Sequence, residues 1–160
     1  MPSGLEMFMD RFDFDVDDFL AQPLTARVGS IGQQGPVLRP VWYLWEDGSF
    51  WWLTGPWSSL ASELTGDPRV ALTVDTCDLA RGHVKQVLAR GRAELNSYDA
   101  HRARRKLARY LGEDPSSWDR DRFDVDAPPW AGTQFVRLRP KHLVAKDLSY
   151  LPSASRPRDV

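Results

Sequence analysis

Residues 37–54 read Val-Leu-Arg-Pro-Val-Trp-Tyr-Leu-Trp-Glu-Asp-Gly-Ser-Phe-Trp-Trp-Leu-Thr. Two runs rich in aromatic and β-branched residues flank Glu46-Asp47-Gly48-Ser49. Asp-Gly accepts the left-handed backbone that a tight turn needs, so the stretch predicts two antiparallel strands joined as a hairpin. Upstream, residues 25–31 are β-rich, and Gly32-Gln33-Gln34-Gly35-Pro36 has turn chemistry. The chain therefore opens with a three-strand antiparallel meander over 25–31, 37–45 and 50–54.

Working outward, Val16 to Leu20 reads as a short helix with Asp15, Asp17 and Asp18 at its positive end. After the third strand Gly55-Pro56 breaks the pattern, and 58–64 reads as a short helix with Leu60, Ala61 and Leu64 on one face. Residues 69–76 alternate, with Val70, Leu72 and Val74 facing one way. Residues 84–95 alternate too, but carry polar and apolar groups on both faces, which suits a barrel edge or an interface. Ser97 is placed to cap a longer helix starting near Tyr98, with the stripe Ala100, Ala103, Leu107, Tyr110 and Leu111, closed by Gly112. Residues 114–129 read as a polar loop or short helical turns, 133–138 as a strand and 142–148 as a last extended segment. The expected fold is mainly β: a six-stranded antiparallel barrel with a short helix after the third strand and a longer helix near the C-terminal end. Residues 1–150 form one domain, and 151–160 are expected to be a flexible tail.

Composition excludes several functions. The 160 residues carry 21 basic and 22 acidic side chains, a net charge of −1, which does not suit a duplex nucleic-acid binder. The lone cysteine, Cys77, rules out an intramolecular disulfide. No apolar run is long enough for a membrane helix, and the acidic start is unlike a secretory signal, so a cytoplasmic protein without membrane or nucleic-acid partners is expected. His83, His101 and His142 are scattered, so no ordinary zinc spacing exists. The alternating aspartates at 119–126 lack the glycine and glutamate of a calcium loop and read as a solvated loop. Gly29, Gly32 and Gly35 lie in a strand and its turn, not before a helix, so they form no phosphate fingerprint.

Five of the seven tryptophans, Trp42, Trp45, Trp51, Trp52 and Trp57, crowd one short stretch. Such a cluster suits a core, a dimer interface or a wall for a flat ring. The basic run Arg102, Arg104, Arg105, Lys106 and Arg109 lies mostly off the apolar stripe. It reads as a solvated helix face near the acidic 114–126 loop, or as a docking patch for an anionic tail.

The succession Phe19-Leu-Ala-Gln-Pro, Ala26-Arg-Val-Gly-Ser-Ile-Gly, Leu38 to Phe50, Leu53-Thr-Gly, Asp67 to Asp75 and Arg90-Gly-Arg-Ala-Glu-Leu resembles the pyridoxamine 5'-phosphate oxidase-like, FMN-binding split barrels. The resemblance runs from about Phe19 to Leu111. It implies a homodimer with FMN in a groove between two barrels. Arg39, Pro40, Val41 and Trp42 would pass the ring, and Leu53, Thr54, Ser58 and Ser59 would lead to the phosphate at a helix start. Gln86 would meet the ring edge, since an amide both donates and accepts. Trp130 would close over the ring from the partner chain. Relatives often carry arginine and lysine where this chain has Ser59 and Leu60. The loss removes charge-assisted hydrogen bonds of about 1.5–3 kcal/mol each.

The implied activity is a flavin oxidoreductase acting on a small-molecule substrate. The alternatives are a reductase using a deazaflavin coenzyme as a dissociable cosubstrate, whose tail the basic helix would receive, or a non-enzymatic ligand-binding module. No protein general acid or base is assigned.

Overall fold

A computed structural model describes residues 10–128 and 131–152 of the chain. Their elements are β1 (Arg11–Phe12), α1 (Val16–Leu20), β2 (Thr25–Gly32), β3 (Gly35–Trp42), β4 (Leu44–Glu46), β5 (Ser49–Thr54), α2 (Leu60–Gly66), β6 (Arg69–Asp78), β7 (His83–Ser97), α3 (Ala100–Leu111), a 3-10 turn (Pro115–Ser117), β8 (Gln134–Leu138) and β9 (His142–Asp147). The hairpin forms as the sequence predicts. Asp47 and Gly48 take φ values of 53° and 66°, and Trp45 pairs with Phe50 across the turn.

The protein is mainly β, as expected, but nine strands stand where six are expected. Each extra strand has its own cause. β1 is two residues pairing in parallel with β9, and β9 is the last extended segment laid against β7. β4 is the far half of the 37–45 strand, cut off at Tyr43. The Tyr43 N–H donates to the Tyr110 hydroxyl at 3.0 Å, and its carbonyl accepts from Arg109 Nη1 at 2.6 Å. Side chains of α3 thus take the backbone groups that a continuous strand would pair. The hydrogen-bonded path runs β3-β2-β6-β7-β8-β5-β4, and its two ends are joined through Tyr43. The sheet returns on itself there without a ladder, which is the split in the barrel.

β7 is not an edge. β6 lines one side of it, while β9 pairs with residues 85–90 and β8 with residues 93–97 on the other. Its mixed faces follow from passing between two sheet halves. The interior is filled by alternate residues such as Val28, Leu72, Val74 and Val87, with Phe50 and Trp52 fully buried.

α3 covers the other side of the β4-β5-β8 sheet. Ala103 and Leu107 pack with Leu44, Trp51 and Phe135. The helix is capped by Asp99, whose carboxylate accepts from the His101 and Arg102 N–H groups, and not by Ser97, which stays in β7 opposite Gln134. Arg109 fixes the far end by donating to the carbonyls of Leu20 (2.6 Å), Ala21 (3.1 Å), Gln22 (2.7 Å) and Tyr43 (2.6 Å). The 114–128 loop keeps its aspartates exposed, yet it is anchored. Trp118 and Val125 are buried beside α3, and the Val125 carbonyl accepts from Tyr98 at 2.6 Å. The expected tail beyond residue 152 lies outside the described residues. No helix among those described is long and apolar enough to cross a membrane.

Candidate functional site

Strand parity divides the residues expected around a ligand. Pro40 and Trp42 point to the outer face of β3, and Arg39 and Val41 to the inner one. β3 pairs with β2 alone, so one edge of its backbone is unpaired among the described residues. That edge is available to a ligand, as the expectation of backbone contacts requires.

Arg39 is committed elsewhere. Its Nη2 donates to Glu63 Oε1 at 2.8 Å and to Ser59 Oγ at 2.9 Å. Its Nη1 donates to Glu63 Oε2 and Ser30 Oγ, both at 2.9 Å. The Ser30 and Ser59 hydroxyls in turn donate to the same carboxylate at 2.7 and 2.6 Å. Hydrogen bonds from Arg39 first, then from Ser59 and Ser30, hold the Glu63 carboxyl down at about 2. Glu63 is therefore an anion at neutral pH, standing where a phosphate would need cations.

The other residues expected to lead to the phosphate differ among themselves. Ser58 Oγ accepts from the Leu60 N–H at 3.2 Å, Leu60 itself is 1 % exposed in the barrel core, and Thr54 is 1 % exposed with a hydroxyl that has no partner among the described residues. Gln86 lies beyond β6 and β2, opposite Asp75 and Lys146, and does not line the cavity that Trp42 and Leu53 share. Trp130 lies outside the described residues.

Trp42 and Leu53 do come together, in a cavity of about 640 Å³ whose walls also include Trp57, Tyr98, Leu107 and Phe123. Trp42, 38 % exposed, stacks on Tyr110 with ring centres 4.4 Å apart and planes within 2°. Phe123 lies nearly parallel to it at 6.0 Å. Trp57 folds back over Gly55, where a Cβ would collide with its ring. Flat aromatic surfaces in an apolar space of this size suit a planar conjugated ligand.

Lys106 also lines this cavity and is 5 % exposed. Burial, and then the nearby Arg109 cation, push its ammonium down to about 8. On sequence Lys106 belongs with the solvated arginines of its run. Its place three residues after Ala103 and four before Tyr110 puts it on the buried stripe, and that spacing is the signal that could have found it. The rest of the basic run is neither free nor mainly paired with the acidic loop. Arg102 and Arg105 bind Glu46, Arg109 binds carbonyls, and Arg104 alone reaches the loop, at Asp126.

A family model described as pyridoxamine 5'-phosphate oxidase matches residues 12–145. Among solved structures, the conserved hypothetical protein Rv2991 from Mycobacterium tuberculosis is 26 % identical. The match covers 88 % of this chain and 87 % of that one, with a TM-score of 0.70. The heme storage protein HutZ from Vibrio cholerae is 15 % identical, covering 83 % and 93 % with a TM-score of 0.61. A FAD-binding protein from Mesorhizobium loti is 18 % identical, covering 81 % and 87 % with a TM-score of 0.56. No curated protein gives a significant sequence match.

Proposed function

The chain belongs to the pyridoxamine 5'-phosphate oxidase family, and from that premise we propose that it is a flavin-type oxidoreductase working as a homodimer on a small-molecule substrate. The ring of the cofactor lies in the cavity of Trp42, Leu53 and Trp57. The observation that carries this reading is the apolar cavity with stacked aromatic walls beside the unpaired edge of β3. When bound, such a ring supplies the hydride or electron transfer, and the protein supplies position and electrostatics.

The cavity fits the ring, but the start of α2 does not fit the phosphate of FMN. Arg39 is neutralised by Glu63, and Leu60 is turned into the core. This favours an exchangeable cofactor, and with it a deazaflavin coenzyme taken up as a dissociable cosubstrate, over tightly held FMN. An apolar strip on the outer barrel face supports pairing of two copies. Leu38 is 77 % exposed, and Ile31, Leu88 and Trp42 are exposed on the same face.

The test is titration of the purified protein with FMN and with a deazaflavin coenzyme, followed by visible absorption and gel filtration. Exchangeable binding to a dimer supports the reading. Failure of both cofactors to bind, at any concentration that saturates a family member, overturns it.

A further inference from the structure

The cavity holds a positive charge that nothing among the described residues answers. Lys106 has no hydrogen-bond or ion-pair partner among the described residues, although its side chain is almost fully buried. An unpaired ammonium in such surroundings is costly to maintain. The charged groups that share the cavity do not offset it. Asp121, Arg122 and Asp124 line the cavity, and all three are exposed. Arg109, from the next turn of α3, has the same sign and is held by four carbonyls. Apart from the half-buried Thr133, the other walls are aromatic or aliphatic, so they align a flat ring and leave Lys106 as the almost fully buried polar group that chooses its substituents.

We propose that Lys106 is a ligand-binding residue and that it selects a planar conjugated ligand with an ionised acidic edge. This rests on the cavity being the ring site. Two sources share that chemistry: the acidic N–H edge of the ring cofactor itself, and the carboxylate of an aromatic acid substrate.

The experiment is calorimetric titration of the full chain and of Lys106→Met at neutral pH. The probes are 2-naphthoate, its neutral amide, and riboflavin in oxidised and dithionite-reduced form. Methionine keeps the volume and removes the charge, so the variant is expected to fold, as its circular dichroism will show. The natural chain is expected to bind naphthoate, or reduced riboflavin, at least about ten-fold more tightly than the uncharged counterpart. Lys106→Met loses that preference and keeps its affinity for the uncharged probe. Discrimination confined to reduced riboflavin assigns the edge to the cofactor, and discrimination confined to naphthoate assigns it to a substrate acid. Equal preference in both proteins overturns the proposal even if riboflavin binds. Discrimination of naphthoate without riboflavin binding upholds Lys106 and overturns the flavin reading instead.

Discussion

The hydroxyl of Tyr110 stands in for a β-ladder at Tyr43. It accepts from the Tyr43 N–H at 3.0 Å, and its single proton faces the carbonyls of Leu24 at 2.7 Å and Tyr43 at 3.1 Å. The same ring carries Trp42 on its face. One tyrosine therefore closes the split of the barrel and backs the wall of the cavity.

Tyr110→Phe keeps the stack and removes the hydroxyl. The Tyr43 N–H and the Leu24 carbonyl lose a partner in a part-buried setting, which costs about 1–3 kcal/mol. Urea unfolding is expected to show that loss, with ring-ligand affinity changed far less than stability.

Glu63 gives an acid-limb prediction. Its carboxyl falls from 4.5 when unfolded to about 2 when folded, chiefly through Arg39. The unfolded chain then binds more protons between those values, so the stabilisation is complete above about 4.5 and is lost as pH falls toward 2. The urea midpoint of the natural protein is expected to drop through this window more steeply than that of Glu63→Gln. Parallel curves would sink the assignment.

Lys106 gives the opposite limb. Its ammonium falls from 10.5 to about 8 on folding because it is buried, so the folded state gives up its proton first. Charged Lys106 therefore destabilises the empty protein below about 8, and the penalty is relieved as pH rises toward 10.5. Lys106→Met is expected to be more stable than the natural chain at neutral pH, by up to about 3 kcal/mol. The gap should narrow in urea titrations at alkaline pH.

Leu38→Glu tests the pairing of two copies. The side chain is largely exposed in the single chain, so folding is expected to be unaffected. A two-fold interface would bring two new carboxylates together, and the elution volume should shift to that of a monomer. An unchanged dimer would move the interface off this face.

Much of the barrel was legible because its signals are local. Asp47-Gly48 makes a hairpin from its own backbone preferences, and the alternation of Val70, Leu72 and Val74 needs only the period of a strand. The break at Tyr43 was not legible, because the groups that cause it lie 66 and 67 residues away on α3. The engagement of Arg39 was not legible for the same reason. Its true partner, Glu63, comes from a helix whose docking the sequence does not announce. Lys106 was hidden by expectation rather than distance, since a lysine among arginines on a helix is ordinarily solvated. That Trp42 and Leu53 line one cavity was legible in part, because an aromatic cluster points to the same place whether it serves a core or a ring.

The four carbonyls gathered by Arg109 have a consequence for motion. α3 cannot lift by one turn without stripping hydrogen bonds from the end of α1 and from Tyr43 at once. Its amides are therefore expected in the slowest class of hydrogen exchange, opening only when the barrel itself comes apart. The 119–128 rim, whose aspartates cap their own turns and whose one buried side chain is Val125, is expected in a faster class. Any breathing of the cavity is then expected at its rim, with the lysine carried on the anchored helix.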